Sequence, residues 1–126
     1  MTVILDSSAL LAYLQDEPGS EVVDRVLNEA IISSVNWAEV IQKSIAAEVE
    51  VEGMLEELQA LGLKVEIFTV NDGELAGLLW AKTKSFGLSL GDRACLSLGL
   101  RMGVSVLTSD RVGDRIGLNL NIILIR

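Results

Sequence analysis

Thr2-Val3-Ile4-Leu5-Asp6-Ser7-Ser8 opens the chain with an unbroken apolar run that ends in a carboxylate and two hydroxyls. A short continuous run of this kind suits a parallel strand covered on both faces. The same reading extends to residues 30–33, 104–108 and 121–125, while residues 65–70 form a β-rich but less continuous run. Between these runs, apolar residues recur at helical spacing. Val22, Val23, Val26, Leu27 and Ala30 form one stripe, Met54, Leu55, Leu58 and Leu61 a second, and Leu75, Leu78 and Leu79 a third. Pro18-Gly19 separates the first helix from the second, and Gly62 and Gly103 are placed as helix stops. Strand alternating with helix predicts a three-layer α/β/α domain, with a mainly parallel central sheet and right-handed crossovers.

The chain has 126 residues, enough for a single domain over residues 1–126 with one substantial core. Half of its residues are hydrophobic, and with only one proline it has none of the composition of a disordered chain. Glu48-Val49-Glu50-Val51-Glu52 alternates like a strand, but its place between two helical stripes favours a helix-to-helix junction. No apolar run reaches membrane-spanning length, and no basic segment or small-residue cleavage site precedes the first strand. The expectation is an unprocessed, cytoplasmic protein. Cys95 has no second cysteine to pair with and shares an apolar stripe with Ala94, Leu98 and Met102, the setting of a buried core thiol.

Four carboxylates stand at the ends of apolar segments or at helix starts: Asp6, Glu39, Asp92 and Asp110. Open parallel sheets bind ligands beyond the carboxyl ends of their strands. Hard divalent cations take oxygen ligands, chiefly carboxylate and water. The chain has no histidine, which excludes His-based zinc sites, His general bases and Ser-His-Asp triads. Converged carboxylates repel unless a cation neutralises them, and Mg²⁺ or Mn²⁺ would resolve that conflict. Such an ion would also lower the pKa of an attacking water and stabilise charge on a phosphodiester. Ser8 and Thr108 could fix the carboxylates or contact metal-bound water.

Each acid also has a purely structural role open to it. Asp6, Asp92 and Asp110 suit helix or turn caps, and Glu39 suits a surface pair with Lys43 one turn later. Asp114 is a candidate fifth acid, with a helix-surface or turn role as the alternative. Arg93 is either a phosphate contact or one half of a surface ion pair. The net charge of −8 argues against a nucleic-acid partner, but its distribution is uneven. Acids dominate residues 16–74, and bases gather between Lys82 and Arg115, where a local basic rim could meet phosphate. Trp37 and Trp80 both read as helical core residues, with an interface as the alternative, and Tyr13 and Leu14 as candidates for lining a partner groove.

Four segments carry a family resemblance: Val3-Ile4-Leu5-Asp6-Ser7-Ser8-Ala9-Leu10, Ser33-Ser34-Val35-Asn36-Trp37-Ala38-Glu39-Val40, Leu88-Ser89-Leu90-Gly91-Asp92-Arg93-Ala94-Cys95, and Val106-Leu107-Thr108-Ser109-Asp110. In this order they resemble the PIN-domain ribonucleases, and most closely the VapC-type toxins of bacterial toxin–antitoxin pairs. The resemblance spans essentially the whole chain. It implies Mg²⁺- or Mn²⁺-dependent RNA cleavage, a homodimer and inhibition by a small partner antitoxin. By position, Asp6, Glu39, Asp92 and Asp110 would form the acidic set, supported by Ser8 and Thr108. Arg111-Val112-Gly113 lacks an aromatic residue often found there in the family.

Other functions fit less well. A phosphoaspartyl phosphatase needs a second acid where Ser8 stands. A receiver switch needs a lysine after the last strand, and no Gly-x-Gly-x-x-Gly follows the first strand. The alternative that remains is a non-catalytic PIN-like module for protein interaction or metal binding. The sequence leaves open which RNA is cut, one or two metal ions, and the identity of the antitoxin.

Overall fold

A computed structural model describes residues 1–111 and 115–126. Five strands form one parallel sheet: β1 (Val3–Leu5), β2 (Ala30–Ser33), β3 (Lys64–Glu66), β4 (Ser105–Thr108) and β5 (Ile122–Leu124). Their spatial order is β3-β2-β1-β4-β5, and every neighbouring pair runs parallel. The chain therefore winds outward from β1 in one direction, then returns to its other side to lay down β4 and β5. The switch point lies between β1 and β4, where Leu5 pairs with Leu107 and the two strand ends part.

Among the described residues there are six α-helices: α1 (Ser7–Leu14), α2 (Ser20–Val26), α3 (Ser34–Ala46), α4 (Met54–Ala60), α5 (Val70–Thr83) and α6 (Leu90–Met102). Successive strand residues point to opposite faces of a sheet, which here divides the interior into two cores. Val3, Leu5, Ala30, Ile32 and Leu107 pack with residues of α1 to α4. Ile4, Ile31 and Val106 pack instead against Cys95 and Leu98 of α6. Cys95 is 1% exposed, as its stripe suggested. The three-layer α/β/α architecture is thus present.

The differences from the sequence reading have local causes. The third strand ends at Glu66 and does not reach Val70. Thr69 caps α5 there, accepting from Asp72 N while the Asp72 carboxylate accepts from Thr69 N. That capping box turns Val70 into the first residue of a helix. Ala30 belongs to β2, not to the stripe of α2 before it. The acidic stretch after α3 is a helix-to-helix junction, since α3 ends at Ala46 and α4 begins at Met54. Gly62, after α4, has φ +109, and a β-carbon there would overlap the Asn28 backbone, so only glycine fits.

The tryptophans separate. Trp37 is half-buried against the first core, but Trp80 is 54% exposed, with the Lys84 ammonium 5.2 Å from its ring centroid. The expectation of a core Trp80 fails because α5 buries a single face, through Ala76, Leu79 and Thr83. Tyr13 and Leu14 pack against the first core.

Candidate active site

Asp6 directly follows β1 and is the N-cap of α1. Its Oδ1 accepts from Ala9 N at 2.9 Å and from Ser8 Oγ at 2.6 Å. Its Oδ2 accepts from Thr108 Oγ1, at the end of β4. The capping role and a site role are therefore not alternatives. The cap fixes the carboxylate where the two strand ends diverge. Asp6 is only 8% exposed. Burial pushes its carboxyl up, and the bonds from Ser8, Thr108 and Ala9 pull back without cancelling that rise, to which the Asp92 charge adds.

The hydroxyls stitch the two loops together. Ser8 Oγ accepts from Ser109 N at 3.0 Å, and Thr108 Oγ1 accepts from Asp110 N at 2.9 Å. Ser8 and Thr108 lie 3.4 Å apart, so both touch each other as well as Asp6. Asp110 is thereby held at the rim by its own backbone.

Asp92 reaches the same place from α6. Ser89 is the cap of that helix and Asp92 its third residue, in a reciprocal box with N···O distances of 2.9 and 3.1 Å. Asp6, Asp92, Thr108 and Asp110 line one cleft of about 30 Å³, with Cys95 among its walls. That volume is room for one or two water molecules. Glu39 is not part of this lining. Its carboxylate lies against Gly91 in the first turn of α6, where a β-carbon would overlap it. It accepts from Asn36 Nδ2 at 2.8 Å, and among the described residues it makes no ion pair with Lys43. Burial, followed by the charges of Asp6, Asp92 and Glu39, raises the Cys95 thiol well above its usual range, so all three acids act on one buried point.

Arg93 turns away from this cleft. Its Nη1 donates to Ala76 O of α5 at 2.8 Å, and it forms no ion pair among the described residues. Arg101 is also engaged, by ion pairs with Asp72 and Glu66, which thins the basic rim read from the sequence. Asp114 lies outside the described residues. Sequence reasoning missed Asn36, buried one turn before Glu39. The spacing Asn36-x-x-Glu39 on one helix face was its only signal.

The polar donors suit a hard cation: the carboxylates of Asp6, Asp92 and Asp110 and the Thr108 hydroxyl stand among apolar walls that include Leu88, Leu96 and Ile122, and the one sulfur is a buried thiol held protonated. Among the described residues, no three acids converge closely enough to hold an ion unaided. Mg²⁺ commonly keeps several waters and binds one or two carboxylates plus substrate phosphate, so it does not need three acids at once.

An all-parallel sheet whose switch point opens on a cleft carrying three carboxylates defines the class as an α/β domain. More narrowly, the chain belongs to the PIN domain family, whose model matches residues 3–118. No curated protein matches it in sequence. Among solved structures, it is similar to a toxin–antitoxin complex from Klebsiella pneumoniae, with TM-score 0.77 and 14% identity, covering 99% of this chain and 98% of that one. It is also similar to DNA-bound VapBC from Salmonella typhimurium, with TM-score 0.70 and 18% identity over 100% and 99% of the two chains. VapBC-1 from nontypeable Haemophilus influenzae gives TM-score 0.72 and 16% identity over 99% and 98%. At these identities the likeness is one of fold.

Proposed function

We propose that this PIN-domain chain is a divalent-metal-dependent ribonuclease and the VapC-type toxin of a toxin–antitoxin pair. The observation that carries the reading is that Asp6, Asp92 and Asp110 line one cleft at the sheet's switch point, where water and substrate phosphate would complete a cation's oxygen shell. Asp6, Asp92 and Asp110 would hold Mg²⁺ or Mn²⁺, with Glu39 supporting a water or a second ion. When bound, the cation supplies positive charge to the scissile phosphate and favours deprotonation of the attacking water.

The chain's own residues supply placement. Ser8 and Thr108 hold both Asp6 oxygens, so the carboxylate cannot swing as substrate enters. The Ser89 box fixes Asp92 by its other face, and Asn36 restrains Glu39. Attack by water leaves a 5′-phosphate and a 3′-hydroxyl, and it does not use the ribose 2′-OH. Preference for RNA then comes from contacts along the substrate, for which Arg93 is the candidate and would have to release Ala76 O, while Asp114 is a candidate further acid.

The similar solved structures are toxin–antitoxin complexes, which supports a small antitoxin as partner. A homodimer and a cytoplasmic site of action complete the reading. No described helix is long and apolar enough to cross a membrane. The test is incubation with labelled RNA under Mn²⁺, Mg²⁺ or EDTA, with products resolved by end chemistry. Metal-dependent cleavage to 5′-phosphate ends is expected, and a 2′,3′-cyclic phosphate would refute the route. A folded, metal-bound chain that cleaves none of several RNAs would favour the non-catalytic PIN-like module instead.

A further inference from the structure

Asn36 is 1% exposed and spends both hydrogens of its amide nitrogen on the site. Nδ2 donates to Glu39 Oε1 at 2.8 Å and to Gly91 O at 3.0 Å, joining α3 to the first turn of α6. Reversing the amide would aim its oxygen at two acceptors, so the network fixes its orientation. Its Oδ1 is buried without a hydrogen-bond partner among the described residues. An apolar residue of the same volume would fill this space without stranding an acceptor, so packing alone does not account for an asparagine here.

We propose that Asn36 is a positioning residue that draws the Glu39 carboxylate onto α6, beside Asp92, and thereby sets the spacing of the acids. The choice of an amide has a physical reason. Glu39 must be brought towards other carboxylates that repel it. A lysine or arginine would hold it there but would cancel the negative charge that a cation needs. An amide donates two directed hydrogen bonds and leaves that charge intact. Gly91 completes the arrangement, because any β-carbon at that position would overlap the Glu39 carboxylate. Without the tie, Glu39 is free to turn along its own helix towards Lys43. The functional consequence rests on the ribonuclease reading, but the placement of Glu39 does not.

The test uses two variants that act on Glu39 from opposite sides. Asn36→Leu removes the donors, and Gly91→Ala fills the space the carboxylate occupies. Alanine is the better helix former, so Gly91→Ala disturbs the site while favouring the helix. Crystal structures of both variants are expected to show the Glu39 carboxylate displaced from α6. Mn²⁺ affinity by calorimetry and single-turnover RNA cleavage should fall about 10- to 100-fold. In a Glu39→Ala background neither substitution should cause further loss, because both act through that carboxylate. A Glu39 that stays against α6 in both variants would overturn the proposal. So would losses that persist undiminished in the Glu39→Ala background, which would mark a general structural role. A wild-type chain that neither binds Mn²⁺ nor cuts RNA would refute the ribonuclease reading, while the position of Glu39 in the variants would still decide what Asn36 does.

Discussion

Thr108 Oγ1 donates a hydrogen bond to Asp6 Oδ2 across 102 positions of sequence, joining the end of β4 to the end of β1. The same hydroxyl accepts from Asp110 N, so one oxygen holds two members of the acidic set. This is possible because β1 and β4 are neighbours in register, with Leu5 opposite Leu107.

Thr108→Val keeps the shape of that side chain and removes both bonds. The expected result is a loss of about 1–3 kcal/mol of stability in urea denaturation, since a buried acceptor and a backbone donor lose their partner. Cleavage should fall with it, because the loop carrying Asp110 is released. Unchanged stability would show that water replaces the hydroxyl at no cost.

Asp92→Asn separates charge from structure. Asparagine can still accept from Ser89 N, so the α6 box survives and stability should change by no more than about 1 kcal/mol. Metal-dependent cleavage should drop by about 100-fold or more, as expected when a charged group acting directly on the reaction is neutralised. Parallel circular dichroism and RNA cleavage assays give the two readings.

Asp72 is 2% exposed and accepts from Arg101 Nε at 2.6 Å and Nη2 at 3.2 Å. Burial alone would raise its carboxyl, but the hydrogen bonds from Arg101 and Thr69, with the Arg101 charge, hold it below its usual 3.8. A folded-state value below the unfolded one stabilises the fold above about pH 4 and loses that contribution as pH falls through the folded value. Arg101→Met should therefore cost about 1–3 kcal/mol at neutral pH, and its deficit relative to wild type should shrink below pH 4. Urea midpoints measured from pH 2 to 7 check the sign. A deficit that stays constant with pH would contradict it.

Cys95 should resist thiol reagents in the native state. It is buried, and burial together with the charges of Asp6, Asp92 and Glu39 disfavours the thiolate that reacts. Labelling at pH 8 should follow global unfolding, appearing only as urea passes the midpoint. Rapid labelling of the native chain would show that the α6 face opens locally.

The strand-end acids were legible in the sequence because their signal is local. An apolar run stopped by Asp6-Ser7-Ser8 or Thr108-Ser109-Asp110 marks where a covered strand meets a polar turn. The end of the third strand was misread for an equally local reason: Thr69 and Asp72 form a capping box that outweighs the β-propensity of Val65–Val70. Trp80 was misread for a different reason. A stripe at helical spacing shows that a helix has an apolar face, but not how much of its circumference a neighbour covers, and α5 is covered on one side only.

By itself, the sequence determined the alternation of strand and helix, the burial of Cys95 and the acids available to a site, since each follows from residue type and short-range period. Only the tertiary structure decided which of them meet. The order β3-β2-β1-β4-β5 places β1 beside β4, which brings Asp6 to Thr108, and the packing of α3 against α6 brings Asn36 and Glu39 to Gly91. These are distances between segments far apart in the chain, and no local pattern encodes them.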